Sequence, residues 1–289
     1  MLSSRVFGRA RAFTSLGRMF STGESQFLLE KRGNVAVGII NRPKALNALT
    51  PDICNALNNH LEAWAAGSVE TPSAFVLKGA GEKAFCAGGD VKAMWKDASE
   101  GGDTVGTGAP GRASSDFFFD EYIMNYNLGV SEIPQISLWD GVVMGGGVGI
   151  SIFGEYRIAT EKSLFAMPET AIGLFPDVGS SAWLPHLKGG IGEYLALTGV
   201  RLKAVDLLAL GLATHFIPSE QVGPFQEGLE KRLSDVKPGD ASAARQCIDG
   251  LLAELGTGAT ADRDATIFGK QDPFRGLALV AACFDSKPS

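Results

Sequence analysis

The sequence predicts an α/β fold built on parallel βαβ crossovers. Three observations predict it. Short apolar runs alternate with segments whose apolar residues recur at helical spacing. Two of those runs end in glycine-rich turns that open helices. Glycine is abundant, 37 of 289 residues, which suits many tight strand-to-helix turns.

The elements follow in order. Gln26 to Glu30 and Val35 to Ile40 read as two strands around the turn Lys31-Arg32-Gly33-Asn34. Thr50-Pro51-Asp52 is a helix start, a hydroxyl cap followed by Pro at the first helical position. Ile53, Leu57, Leu61 and Trp64 then line one buried face, and Ala74 to Leu77 is a buried strand. Residues 98–115, rich in Gly, Ser, Ala and Thr, read as a mobile loop before a helix from Asp116. Pro134 to Asp140 is a strand that runs into Met144-Gly145-Gly146-Gly147-Val148-Gly149, with an apolar helix to Phe153. Glu155 to Thr160 and Ser163 to Ala166 are strand-like. Gly192 to Thr198, Ala204 to Gly211 and Glu220 to Leu233 are helical by pattern. No internal repeat is visible.

Composition excludes several classes. Hydrophobic residues are 45% of the chain, enough for a sizeable core. The net charge is −6, without the basic stripe of a nucleic-acid binder. No run of 18 apolar residues predicts a spanning helix. The first twenty residues differ from the rest: they carry Arg5, Arg9, Arg11 and Arg18, with no acid before Glu24. Spaced Arg with Ser and no carboxylate predicts a mitochondrial transit peptide over 1–20, and a matrix location. Cys54, Cys86, Cys247 and Cys283 form no C-x-x-C pair, so neither a zinc site nor a redox motif is predicted. His60, His186 and His215 are scattered, as structural or solvent-facing histidines are.

The chemistry is concentrated in two turns, Ala84-Phe85-Cys86-Ala87-Gly88-Gly89-Asp90 and Met144-Gly145-Gly146-Gly147. N–H groups at a helix start lack internal partners. Two such turns side by side can aim two donors at one oxygen, whereas either turn alone is as well explained as a chain reversal. A phosphate loop is excluded because no Lys-Ser/Thr follows, and G-x-S-x-G is absent.

Together with Asn41-Arg42-Pro43-Lys44-Ala45-Leu46-Asn47-Ala48-Leu49, these turns resemble the crotonase (enoyl-CoA hydratase/isomerase) superfamily, over roughly Gln26 to Ile217. The segment Met167-Pro168-Glu169-Thr170-Ala171-Ile172-Gly173-Leu174-Phe175-Pro176-Asp177-Val178-Gly179 resembles the branch of that superfamily that hydrolyses 3-hydroxyisobutyryl-CoA in valine breakdown. The resemblance implies a crotonase (ClpP-like) spiral of ββα units over 26–217, with a shortened helical C-terminal region over 218–289.

It also implies roles. The N–H groups of Gly89 and Gly146 would hold the thioester oxygen. Lys44, Ala45 and Leu46 would line the CoA channel, and the loop around Ala87 and Asp90 would receive its adenine end. Glu169, as nucleophile or general base, and Asp177, as hydroxyl anchor or proton donor, would flank the acyl group. Without the motif, either acid would read as a cap or a surface residue. The implied partner is a small acyl-CoA substrate, with no nucleic acid, membrane, metal or separate cofactor, in a possible homo-oligomer. Hydratases of the superfamily carry a first catalytic glutamate where this chain has Gly149, which disfavours hydration. A non-catalytic role, as a hydrolase-like subunit of the mitochondrial ribosome, is the remaining alternative.

Overall fold

The computed structural model describes residues 25–100 and 112–255. The expected transit peptide at 1–20 and the end of the expected C-terminal region, 256–289, lie outside the described residues.

The chain forms β1 (Phe27–Arg32), β2 (Val35–Ile40), α1 (Pro51–Ala65), β3 (Ala74–Gly79), β4 (Ala84–Cys86), α2 (Val91–Glu100), α3 (Arg112–Val130), β5 (Gln135–Trp139), β6 (Val142–Met144) and α4 (Gly146–Gly149). It continues through β7 (Tyr156–Ala159), β8 (Leu164–Ala166), α5 (Ile191–Thr198), β9 (Leu202–Lys203), α6 (Ala204–Ala209), β10 (His215–Phe216), α7 (Val222–Leu233) and α8 (Ala241–Glu254). The strands form two sheets, ordered β1-β2-β3-β5-β7-β10 and β4-β6-β8-β9. The pairs β3/β4, β5/β6 and β7/β8 each place one strand in each sheet. Their pairings β3–β5, β4–β6, β5–β7 and β6–β8 are all parallel. That is the ββα spiral: each turn of chain adds one strand to both sheets.

Sequence explains why the large sheet is covered on both faces. Every residue of β2 is buried. Its alternate side chains go to opposite faces: Ala36 and Ile40 join the cluster with Leu57, Phe75 and Phe85, while Val35, Val37 and Ile39 join that of Phe225, Leu229, Ile248 and Leu252. The latter four come from α7 and α8, so the helices after residue 217 share the core of the sheet. Full burial of one such side chain contributes about 1.5–3 kcal/mol. Asn34 ties the β1–β2 turn to the end of α7 and the segment after it by donating to Leu233 O and Val236 O.

The start of α1 is the one expected. Thr50 caps it by accepting from Ile53 N–H at 3.4 Å, with Pro51 in the first turn. Two other expectations are corrected. Of the expected loop at 98–115, residues 98–100 belong to α2 and 112–115 to α3; residues 101–111 lie outside the described residues. The expected helix to Phe153 is only the four residues of α4. Glycine is a poor helix former, and three of those four residues are Gly. Ser151 Oγ then turns back onto Gly147 O at 2.7 Å.

Candidate active site

β4 and β6 are parallel neighbours, so their C-terminal ends bring the two glycine turns together. Gly88 (φ +101°) and Gly145 (φ +49°) lie in the left-handed region that favours glycine. A methyl on Gly88 would sit 3.1 Å from Met144 O and 3.4 Å from Gly146 N, so the turns touch. Leu49 pairs beside Gly89 through the flanking groups: Leu49 N donates to Gly88 O and Asp90 N to Leu49 O. This leaves the N–H of Gly89 directed away from Leu49. Gly146 is the first residue of α4, and its N–H has no intrahelical acceptor. Neither amide donates a hydrogen bond to the main chain among the described residues.

Glu169 opens a 3-10 turn, Glu169–Ile172, just after β8. A methyl on Gly145 would lie 3.1 Å from Glu169 Oε1, and Glu169 Oε2 is buried with no partner. Burial first, and then the charge of Asp177, push its carboxyl up to about 7. Asp177 is half-buried, and its Oδ2 accepts the Tyr122 O–H at 2.6 Å. Burial raises its pKa, and the Tyr122 hydrogen bond opposes that rise. The next residue, Val178, holds φ +45°, a costly backbone for a β-branched residue. Ser180 secures the bend: its N–H donates to Asp177 O at 2.8 Å and its Oγ to Pro176 O at 2.6 Å.

A third acid, absent from the sequence reading, completes the group. Glu121 on α3 is 2% exposed, and its Oε1 has no partner. A methyl on Gly146 would overlap that oxygen. Burial, then Asp177, then Glu169 push the Glu121 carboxyl up to about 8. One signal was available. The buried face of α3 carries Phe117, Glu121, Met124, Asn125 and Leu128 at helical spacing, and a Glu within an apolar face is anomalous. One turn further on, Asn125 packs against Gly149. A methyl on Gly149 would lie 2.5 Å from Val178 Cβ and 3.1 Å from both polar atoms of Asn125. A glutamate, which the resemblance places at this position in hydratases, therefore has no room at Gly149.

Glu121 has a consequence for stability. Between its ordinary value of 4.5 and about 8, the unfolded chain ionises this carboxyl while the folded chain keeps it protonated. Folding then takes up a proton, so stability falls as pH rises through that window. Glu121→Gln is expected to raise Tm by about 5 °C or more at pH 8 and to leave it unchanged near pH 4.5. Thermal melts at the two pH values check this; an equal shift at both would contradict it.

The remaining candidates form a lip beside the first turn. Lys44 and Ala45 lie in a 3-10 turn (Pro43–Ala45), followed by Leu46 at φ +50° and Asn47 at φ +56°. Leu46 O accepts from Ala87 N–H at 3.0 Å, and Lys44, Ala45 and Leu46 are exposed. Buried Asn47 fastens the lip: its Oδ1 accepts from Arg42 N–H, and its Nδ2 donates to Ala80 O and Ala84 O. The Asp90 carboxylate is already committed, to Arg42 at 2.8 Å and to Ala93 N–H at 3.1 Å. Its pKa is lowered: burial would raise it, but the Arg42 and Ala93 hydrogen bonds outweigh that.

A two-sheet spiral with paired glycine turns and buried acids at the strand ends defines a class. The chain belongs to the enoyl-CoA hydratase/isomerase family, whose model matches residues 35–286. Its relatives include the mitochondrial 3-hydroxyisobutyryl-CoA hydrolases. The chain is 47% identical to that of Danio rerio over 80% of its own length and 56% of the relative's. It is 43% identical to that of Homo sapiens, over 90% and 62%, and 41% identical to that of Mus musculus, over 99% and 69%. The chain thus spans about half to two thirds of the length of these relatives. Among solved structures, a carnitinyl-CoA dehydratase from Mycobacterium thermoresistibile is similar with TM-score 0.66 and 32% identity, over 90% of this chain and 75% of that one. An enoyl-CoA hydratase from Rhodobacter sphaeroides gives 0.64 and 32%, over 89% and 74%.

Proposed function

We propose that the chain hydrolyses 3-hydroxyisobutyryl-CoA to the free hydroxy acid and CoA, in the mitochondrial matrix. The observation that carries this reading is the meeting of Glu121, Glu169 and Asp177 beside two touching glycine turns with unpaired amides. The names of the relatives support it, for substrate and location. The closed position at Gly149 speaks against hydration.

In this reading the amides of Gly89 and Gly146 hold the thioester oxygen as it gains charge. CoA lies along Lys44, Ala45, Leu46, Ala87 and Asp90. Ionised Glu169 either adds to the carbonyl carbon, giving a mixed anhydride that water then opens, or takes a proton from attacking water. The tetrahedral intermediate collapses, the C–S bond breaks and the sulfur leaves as thiolate. Glu121, kept protonated by burial, supplies the thiolate proton, and Asp177 engages the substrate hydroxyl.

The purified chain is expected to release CoA from 3-hydroxyisobutyryl-CoA, read with a thiol reagent, and not to hydrate crotonyl-CoA. Its kcat/KM should rise with pH through about 7, as Glu169 ionises, and fall past about 8, as Glu121 loses its proton. Hydration of crotonyl-CoA without CoA release from the hydroxyacyl substrate would overturn the proposal.

A further inference from the structure

α3 carries a second residue that reaches the acids. Tyr122, next to Glu121 in the chain, crosses from α3 to the segment after the 3-10 turn and donates its O–H to Asp177 Oδ2. The backbone around Asp177 is fixed by Ser180 and by the left-handed Val178. The carboxylate itself has no other side-chain hydrogen-bond partner among the described residues. No Lys or Arg pairs with it there. The titratable groups of the site beside it, Glu121 on α3 and Glu169 at the 3-10 turn, are both acids and offer it no opposite charge. Burial opposes ionisation of Asp177, and the phenol is the side chain that favours it. The phenol is a dependable donor, because burial and then Asp177 raise its pKa well above its ordinary value.

We propose that Tyr122 is a positioning residue for the hydrolysis: its O–H, 2.6 Å from Asp177 Oδ2, fixes the rotamer of that carboxylate and leaves the second oxygen for the substrate. This rests on the hydrolase reading above. It gives Asp177 a defined direction that burial alone does not.

The test uses the full chain with 3-hydroxyisobutyryl-CoA. Tyr122→Phe removes only the hydroxyl, and a thermal melt checks that the fold is kept. We expect kcat to fall ~10–100-fold, with KM changed far less. The acid limb, to which ionisation of Asp177 also contributes, should move to higher pH, because a hydrogen bond to the charged form of Asp177 is lost. In an Asp177→Asn background the same substitution should change kcat less than ~2-fold. An unmoved pH profile, or the same loss in both backgrounds, would overturn the role of Tyr122 while leaving the hydrolase reading intact. No CoA release by the unmutated chain would overturn both.

Discussion

Glu169→Gln is expected to lower the rate of CoA release from 3-hydroxyisobutyryl-CoA by ~10²–10⁴. The amide has nearly the same shape, and Glu169 Oε2 has no hydrogen bond to lose. It lacks the charge that, in the proposed reaction, either adds to the carbonyl carbon or takes the water proton. The substitution also removes a burial cost, since this carboxyl is pushed up to about 7. The variant should therefore melt no lower than the parent at pH 8 while its turnover falls. Unchanged turnover, measured with a thiol reagent, would remove Glu169 from the mechanism.

Gly146→Ala carries the second large effect, a loss of ~10²–10³ in kcat. The backbone at Gly146 is helical, so alanine is conformationally acceptable. The added methyl instead overlaps Glu121 Oε1 and approaches Leu49 Cδ1 at 3.0 Å. Relief requires Glu121 to move, which disturbs the acid next to the amide. Gly89→Ala is a useful contrast. Its methyl would meet Met94 Cε at 2.8 Å and the Phe117 ring at 3.2 Å, and Met94 is the flexible end of a long side chain. The Gly89 variant should lose less, and a kcat ratio between the two variants near one would count against the steric account.

Much of the scaffold is legible in the sequence because its signals are local. Thr50-Pro51 starts a helix, Val35 to Ile40 is continuously apolar because both faces are buried, and each glycine turn follows a strand. The length of α4 was not legible: an apolar pattern cannot tell a helix from a buried irregular turn when three of four residues are Gly. The start of α3 was hidden by its small polar residues. Glu169 and Asp177 are visible as one motif eight residues apart. Glu121 is not, since its place against Gly146 depends on how α3 packs on α4, and the Tyr122–Asp177 bond joins residues 55 apart. Contacts of that kind are set by topology, and a sequence pattern shows at most the oddity of a glutamate on an apolar face.

The most direct measurement is a crystal structure of the chain with an acyl-CoA ketone, in which a methylene replaces the thioester sulfur. The carbonyl oxygen should lie ~2.7–3.1 Å from the amide nitrogens of both Gly89 and Gly146, with Glu169 and Asp177 on either side of the acyl group. A ketone oxygen held by one amide or neither, or an acyl group seated away from the acids, would contradict the account.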